Sequence, residues 1–562
     1  MTVRGVLLLL VLVVVCVAQE RPVVEVAQGR VVGLNTTRHN ITFLEFLSIP
    51  YAQPPVDHLR FKAPLPAEPW EGDLDASKLP PSCDQFTVLG REDCLYINIY
   101  APQDALNTTE ALPVMAFIHG GAFYLGSADI FHGFEVLAER GVVVAMMQYR
   151  LGIFGFFSTE DDVAPGNQGL MDQTLALEWV RDNIAAFGGD PNKVTIFGES
   201  AGSASVHWQM LAPSAAGLFS GAIMESGNAL CSWARGREFR QSANKLAERF
   251  DCPTEPSDAL VSCLQDVNQH LLDSEYSTFA QWNFQPFYFA PRVDGVYIPD
   301  EPVTLLKEGR YHHVPTIMGI NRDELSMETV ELYTLPRVID DLTANFSVNG
   351  PVSLELYEDE DPINTATAAY EYYYLGDLNI TKEDSDNFTR YVSDRERIFT
   401  WYRTDSPNVL QIYTEGLFLI RHDWTVQLMS DQDPVYAYEL HHRGDHSLVN
   451  IFLAGGLDLP QAYNYVSHGD ELQYLINPLH AGLHLPDDVT VGELFPALWT
   501  NFAKTGNPTP DGSLGFMWEM SNPSSLQHLK ILPQPVMEAD QRADVRAFWE
   551  TLPLRINNLL QG

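Results

Sequence analysis

The chain has 562 residues, 45% hydrophobic and 11% aromatic, which excludes a disordered or collagen-like chain and supplies ample material for a large core. Its 34 basic residues against 74 acidic ones give a formal net charge of −40, which excludes a nucleic-acid partner held through phosphates and opposes docking on anionic lipid. Such a surface favours solubility and a neutral or cationic substrate.

The opening MTVRGVLLLLVLVVVCVAQE places one basic residue, Arg4, before a short apolar block that ends in Cys16-Val17-Ala18. This is the layout of a secretory signal peptide cut after Ala18, leaving residues 19–562 as a single secreted domain. The block is too short for a comfortable membrane span, so no stable membrane anchor is expected. Sequons at Asn35, Asn40, Asn107, Asn345, Asn379 and Asn387 agree with a secreted glycoprotein. The mature chain keeps five cysteines, in which Cys83 with Cys94 and Cys252 with Cys263 stand out as close pairs, each able to staple a small loop in an oxidising compartment. Cys231 is left over and reads as a buried small hydrophobe.

Further along, 112–123 reads as a buried strand running into a glycine-rich loop, and 141–150 as a second apolar strand. Residues 167–191 carry helical apolar spacing and stop at Gly188-Gly189. Residues 193–200 form the next strand, 201–211 a helix, and 220–227 another strand. Residues 313–321 and 434–440 are strand-like, and 492–506 is a late helix stopped by Gly506. Strands alternating with helices predict an α/β fold with a large, mostly parallel sheet covered on both faces.

Within this order, Gly198-Glu199-Ser200-Ala201-Gly202 stands where a strand gives way to a helix. So tight a turn leaves room only for small residues two positions either side of the serine, and it exposes the hydroxyl at the carboxyl edge of the sheet. The helix N-terminus and the N–H of Ala201 then point where an oxyanion would form. Upstream, His119-Gly120-Gly121-Ala122 follows a strand and offers the N–H groups of Gly121 and Ala122 as further donors. A serine needs a base and the base an orienting acid. Asp323 and Glu324 follow the strand at 314–320 as candidate acids. His468 is a candidate base, with His441, His442 and His446 as competitors just after a late strand.

These motifs resemble the type B carboxylesterases, the α/β-hydrolase family that contains cholinesterases, insect esterases and bile-salt-activated lipases. The likeness runs along nearly the whole chain, through 46–61, EDCLYINIY, HGGAF, YRLGIFGF, NQGLMDQ, FGGDPNKVTIFGESAGSAS and FAKTGNPTP, with SVHWQML and SGNALCSWA most like arthropod esterases. The resemblance implies Ser200 as nucleophile, Glu324 as triad acid and His468 as base. It places Gly121, Ala122 and Ala201 in the oxyanion hole, and Glu199 and Ser226 near the histidine. It implies loop disulfides 83–94 and 252–263. It also implies a secreted hydrolase of small-molecule carboxylic esters that needs no metal or organic cofactor.

The chain departs from the family pattern at Leu325 and Tyr465, where glycine is usual. Its 83–94 loop has no tryptophan, which argues against a choline ester. Glu199 stands where juvenile hormone esterases usually carry glutamine. The alternatives are a catalytically silent adhesion or binding protein on the same scaffold, and a neutral lipase. The sequence sets no oligomeric state.

Overall fold

Alternation along the central strands decides the layers. In β7 (Leu112–Ile118), Val114, Ala116 and Ile118 enter one apolar core while Met115 and Phe117 enter another. In β8 (Val143–Met147), Val143, Ala145 and Met147 join the first core, and Val144 and Met146 the second. A strand apolar on both faces must be covered on both, which is the requirement of a parallel sheet sandwiched by helices.

The computed structural model describes residues 21–561 apart from 86–89, 129, 132, 284, 358, 374–408, 451–463 and 477–482. The predicted signal peptide and the sequons at Asn379 and Asn387 lie outside the described residues. Besides β7 and β8, the strands are β1 (Val23–Val26), β2 (Gly29–Val32), β3 (Leu34–Arg38), β4 (Ile41–Pro50), β5 (Asp73–Asp75) and β6 (Tyr96–Pro102). They continue with β9 (Gly189–Glu199), β10 (Gly221–Glu225), β11 (Thr316–Asn321), β12 (Val435–Leu440), β13 (His528–Ile531) and β14 (Val536–Glu538). Eleven of them make one sheet in the order β14-β13-β12-β11-β10-β9-β7-β8-β6-β4-β3, and β1, β2 and β5 form a small separate sheet. From β13 to β8 neighbouring strands run parallel; β14 at one edge and β6, β4 and β3 at the other are antiparallel.

The expected strands are all present, most of them trimmed by a few residues. The helix expected over 167–191 is α1 (Gln168–Asn183), continued by a 3-10 turn to Phe187 and stopped at Gly188 in the left-handed region. Then comes α2 (Ala201–Leu211), bounded as predicted. The late helix, α3 (Pro486–Thr505), starts six residues before 492. Its true start is marked by Pro486 and by Asp487 and Asp488 in the first turn, which suit a helix N-terminus. Gly506, at φ 72°, stops it as expected.

Cys83 is bonded to Cys94 and Cys252 to Cys263. Cys231 is free and buried, and burial pushes its thiol up to about 12, so it stays an inert thiol. Asn40, Asn107 and Asn345 are exposed, and Asn35 is half-buried on the edge strand β3. Among the described residues no helix is long and apolar enough to cross a membrane.

Candidate active site

The turn between β9 and α2 is built around close backbone contacts. A Cβ on Gly202 would lie 2.0 Å from the carbonyl oxygen of Ile118, at the end of β7. One on Gly198 would lie 2.5 Å from the same oxygen. With neither Cβ present, β7 presses against the turn, and Ser200 is held at φ 59° and ψ −123°. That is a conformation L-residues rarely adopt, and strain of this kind collects at functional positions. The Ser200 N–H donates to Glu225 O on β10 at 2.8 Å, which ties the turn to the next strand.

The loop after β7 lies against this turn. A Cβ on Gly120 would meet Glu199 at 2.7 Å and Ser200 Cβ at 3.1 Å. Gly121, Ala122 and Phe123 follow at φ 111°, 51° and 64°. This run of left-handed residues curls the loop so that Gly121 O accepts from the N–H groups of Tyr124 and Leu125. The N–H groups of Gly121 and Ala122 donate to no acceptor among the described residues. Successive N–H groups left without an acceptor in such a run can form an anion-binding concavity. Ala201 opens α2, where the first-turn N–H groups have no partner within the helix.

The candidate acid and base are joined. His468 Nδ1 donates to Glu324 Oε2 at 2.7 Å, and Glu324 Oε1 accepts the Asn321 N–H at 2.8 Å. The backbone repeats the pairing, with His468 N–H donating to Glu324 O at 3.0 Å. Asp323, the competing acid, has another task. Its N–H donates to Val466 O at 2.9 Å and its Oδ2 accepts the Val466 N–H at 2.9 Å, so it clamps the loop that carries the histidine. The competing histidines are engaged elsewhere, His441 with Glu439 at 2.7 Å and His442 with Asp488 at 2.7 Å, while the His446 ring lies edge-on to that of His484 at 6.5 Å.

On its other side, His468 Nε2 stands 3.2 Å from Glu199 Oε1. Among the described residues Ser200 Oγ makes no hydrogen bond to His468. Burial alone would lower the imidazole, but Glu199 and the Glu324 hydrogen bond overcome it and push it up to about 10. Burial in turn raises Glu199 to about 7, opposed by His468 and reinforced by Glu324.

Two further buried acids were not singled out from the sequence. Glu471 accepts from Asn321 Nδ2 and, at 3.4 Å, from Ser226 Oγ. Glu225 Oε1 accepts Trp499 Nε1 at 2.6 Å. Burial and the charge of Glu199 raise both, Glu225 to about 8. Ser226 sits at φ 60° with its N–H on Gly319 O at 2.9 Å, so it serves both the turn geometry and the Glu471 contact.

Phe418 was also not foreseen. Its ring lies 5.0 Å from that of His468 and 5.2 Å from that of Trp233, and Trp233 Nε1 donates to Leu417 O. Phe418 belongs to a π-helical turn, Thr414–Leu419, that opens into the helix Ile420–Met429. No spacing rule reveals such a turn, and its wide register is frequent at functional sites. Leu325 and Tyr465 are buried and neither has positive φ, so the backbone at these two positions does not require glycine.

The sequence matches the model of the carboxylesterase family over residues 20–549. It is 33% identical to venom carboxylesterase-6 of Apis mellifera, over 96% of this chain and 95% of that protein. It is 32% identical to juvenile hormone esterase of Tribolium castaneum, over 92% of this chain and 88% of that protein. It is 34% identical to carboxylesterase 1E of Mus musculus, over 87% of each.

Proposed function

The chain belongs to the carboxylesterase family of carboxylic-ester hydrolases, and from that footing we propose that it is a secreted serine esterase working through Ser200, His468 and Glu324. The observation that carries the reading is the 2.7 Å pair of Glu324 with His468, on the far side of an imidazole that faces Glu199, the residue next to Ser200. His468 takes the Ser200 proton as Oγ attacks the ester carbonyl, and Glu324 holds the imidazole in the tautomer that leaves Nε2 free to accept. The N–H groups of Gly121, Ala122 and Ala201 bind the tetrahedral oxyanion, where losing one such donor typically costs ~100-fold or more in rate. His468 then protonates the leaving alkoxide, and water attacks the acyl-enzyme by the same path to release the acid.

Against Glu199 the imidazole is held as its cation, so the base form arises when the Nε2 proton passes to Glu199, whose carboxyl burial has raised to about 7, and a substrate that closes over the turn then favours the contact of Nε2 with Ser200. Catalytic hydrogen bonds are often long before substrate binds. Secretion is supported by the two disulfides, by the exposed sequons Asn40, Asn107 and Asn345, and by a relative named for venom.

The test is hydrolysis of short-chain p-nitrophenyl esters by the chain from residue 19, with and without Ser200→Ala. Turnover should vanish in the variant while its circular dichroism and thermal midpoint stay close to the parent's. Equal turnover in the two would end the serine-esterase reading and point to a silent scaffold protein with a contaminating activity.

A further inference from the structure

A cavity of about 80 Å³ lies between the 229–237 segment, the helix Ile420–Met429 and the C-terminal helix Arg555–Gln561. Its lining holds four arginines, at 235, 237, 421 and 555, against three carboxylates, Glu301, Glu355 and Asp359. That leaves one positive charge in excess, on a chain whose net charge is −40.

The arginines are not equivalent. Arg235 and Arg555 share Glu301 at 2.9 and 2.7 Å, and Arg237 reaches Glu355 at 2.6 Å. Arg421 is only 3% exposed, and its guanidinium makes neither an ion pair nor a hydrogen bond among the described residues. Its Nε and Nη1 are buried and unpartnered, and its plane is covered by the rings of Trp424 and Trp549 at 5.3 and 5.8 Å. Beside it, Arg237 Nε and Nη1 and Ser232 Oγ are also buried without partners. A buried guanidinium left unpaired is strongly destabilising, and folds that retain one ordinarily match it with an anion. Arginine also presents a planar fork that suits carboxylate and phosphate oxygens.

We propose that this cavity is a binding site for a small oxyanion, a carboxylate or a phosphate, gripped by Arg421 with help from Arg237 and Ser232. The site lies outside the proposed catalytic groups and does not depend on them. Burial raises Glu355 to about 7, against the pull of Arg237, so near neutral pH the pocket is more positive than the formal count.

The experiment is thermal unfolding of the full mature chain in chloride, inorganic phosphate or butyrate at one fixed ionic strength, beside Arg421→Met and Arg421→Lys. At ~100-fold excess over Kd the parent should gain about 2 °C, saturably, in at least one of the two oxyanions. Arg421→Met should gain nothing, and Arg421→Lys, which keeps the charge but loses the fork, should bind ~10-fold more weakly. A rise in phosphate alone identifies a phosphate ligand, and one in butyrate alone a carboxylate such as the enzyme's own acid product. No saturable rise of the parent in either anion overturns the proposal without recourse to a variant. An equal rise in Arg421→Met overturns it as well.

Discussion

Replacing Glu324 by glutamine isolates the task given to the carboxylate. Its two oxygens accept from two donors, His468 Nδ1 at 2.7 Å and the Asn321 N–H at 2.8 Å. A glutamine has one acceptor oxygen. If that oxygen faces Asn321, the amide nitrogen donates to Nδ1 and forces the proton onto Nε2, where the imidazole can no longer act as a base. If it faces Nδ1, two N–H groups collide at Asn321, and the imidazolium formed in the transition state has lost its counter-charge. A unit charge pair 2.7 Å apart at an effective dielectric of ~20 is worth about 6 kcal/mol as an upper figure. Solvent and Glu199 compensate part of it, so about 4–5 kcal/mol is expected, a loss of ~10³–10⁴ in kcat/KM. The assay is p-nitrophenyl acetate hydrolysis from about pH 6 to 9, with the thermal midpoint as folding control. Asp323→Asn, which disturbs the clamp on Val466 and the ion pair with Arg322 but not the Glu324–His468 contact, should lose ~10-fold or less. A Glu324→Gln variant that keeps a tenth of the parent activity would refute the argument, and a larger loss in Asp323→Asn would move the acid to that residue.

Other outcomes follow from local geometry. Gly202→Ala puts a methyl 2.0 Å from Ile118 O, contact with backbone that cannot move aside, and should abolish soluble expression or lower the thermal midpoint steeply. Glu225 is held at about 8 by burial, so its folded pKa lies above its unfolded one; its contribution is full below about 4.3 and is lost as pH rises through about 8. Glu225→Gln should therefore raise the thermal midpoint relative to the parent at about pH 9 and do so far less at about pH 5; equal shifts at both would show that the side chain is not titrating there. Removing the Cys83–Cys94 bridge with serines should destabilise by about 3 kcal/mol for an 11-residue separation, read by urea unfolding, and an unchanged midpoint would mean the loop is already ordered when unfolded.

The parts of the fold legible in sequence were those where local pattern and tertiary need coincide. Apolar runs such as 143–147 are strands because both their faces are buried, and α2 is bounded by the glycine-rich turn that the serine occupies. Ser200 and the loop at 119–122 were legible because backbone crowding demands small residues there. The proposed base was not, since His441, His442 and His446 compete just after a late strand and only tertiary pairing distinguishes His468 from His441, held by Glu439, and His442, held by Asp488. Family resemblance chose His468, which the structure places 2.7 Å from Glu324. Phe418, Glu225, Glu471 and the unpaired Arg421 left no local signal. Each is defined by what lies across space from it, and a buried acid or arginine looks in sequence like any surface charge.

The two rungs that join residues 323–324 to residues 466–468 use both backbone and side chain on each step, across separations of 143 and 144 residues. The proposed acid and base are therefore registered to each other directly, and not through the chain between them. Insertions, deletions or rewritten surfaces in the loops of that long excursion, outside β12 and the helix Ile420–Met429, leave this register untouched. Such an arrangement separates the proposed proton-transfer pair from those loops, and a library confined to them should yield altered ester preferences with an unaltered pH dependence of the proton transfer.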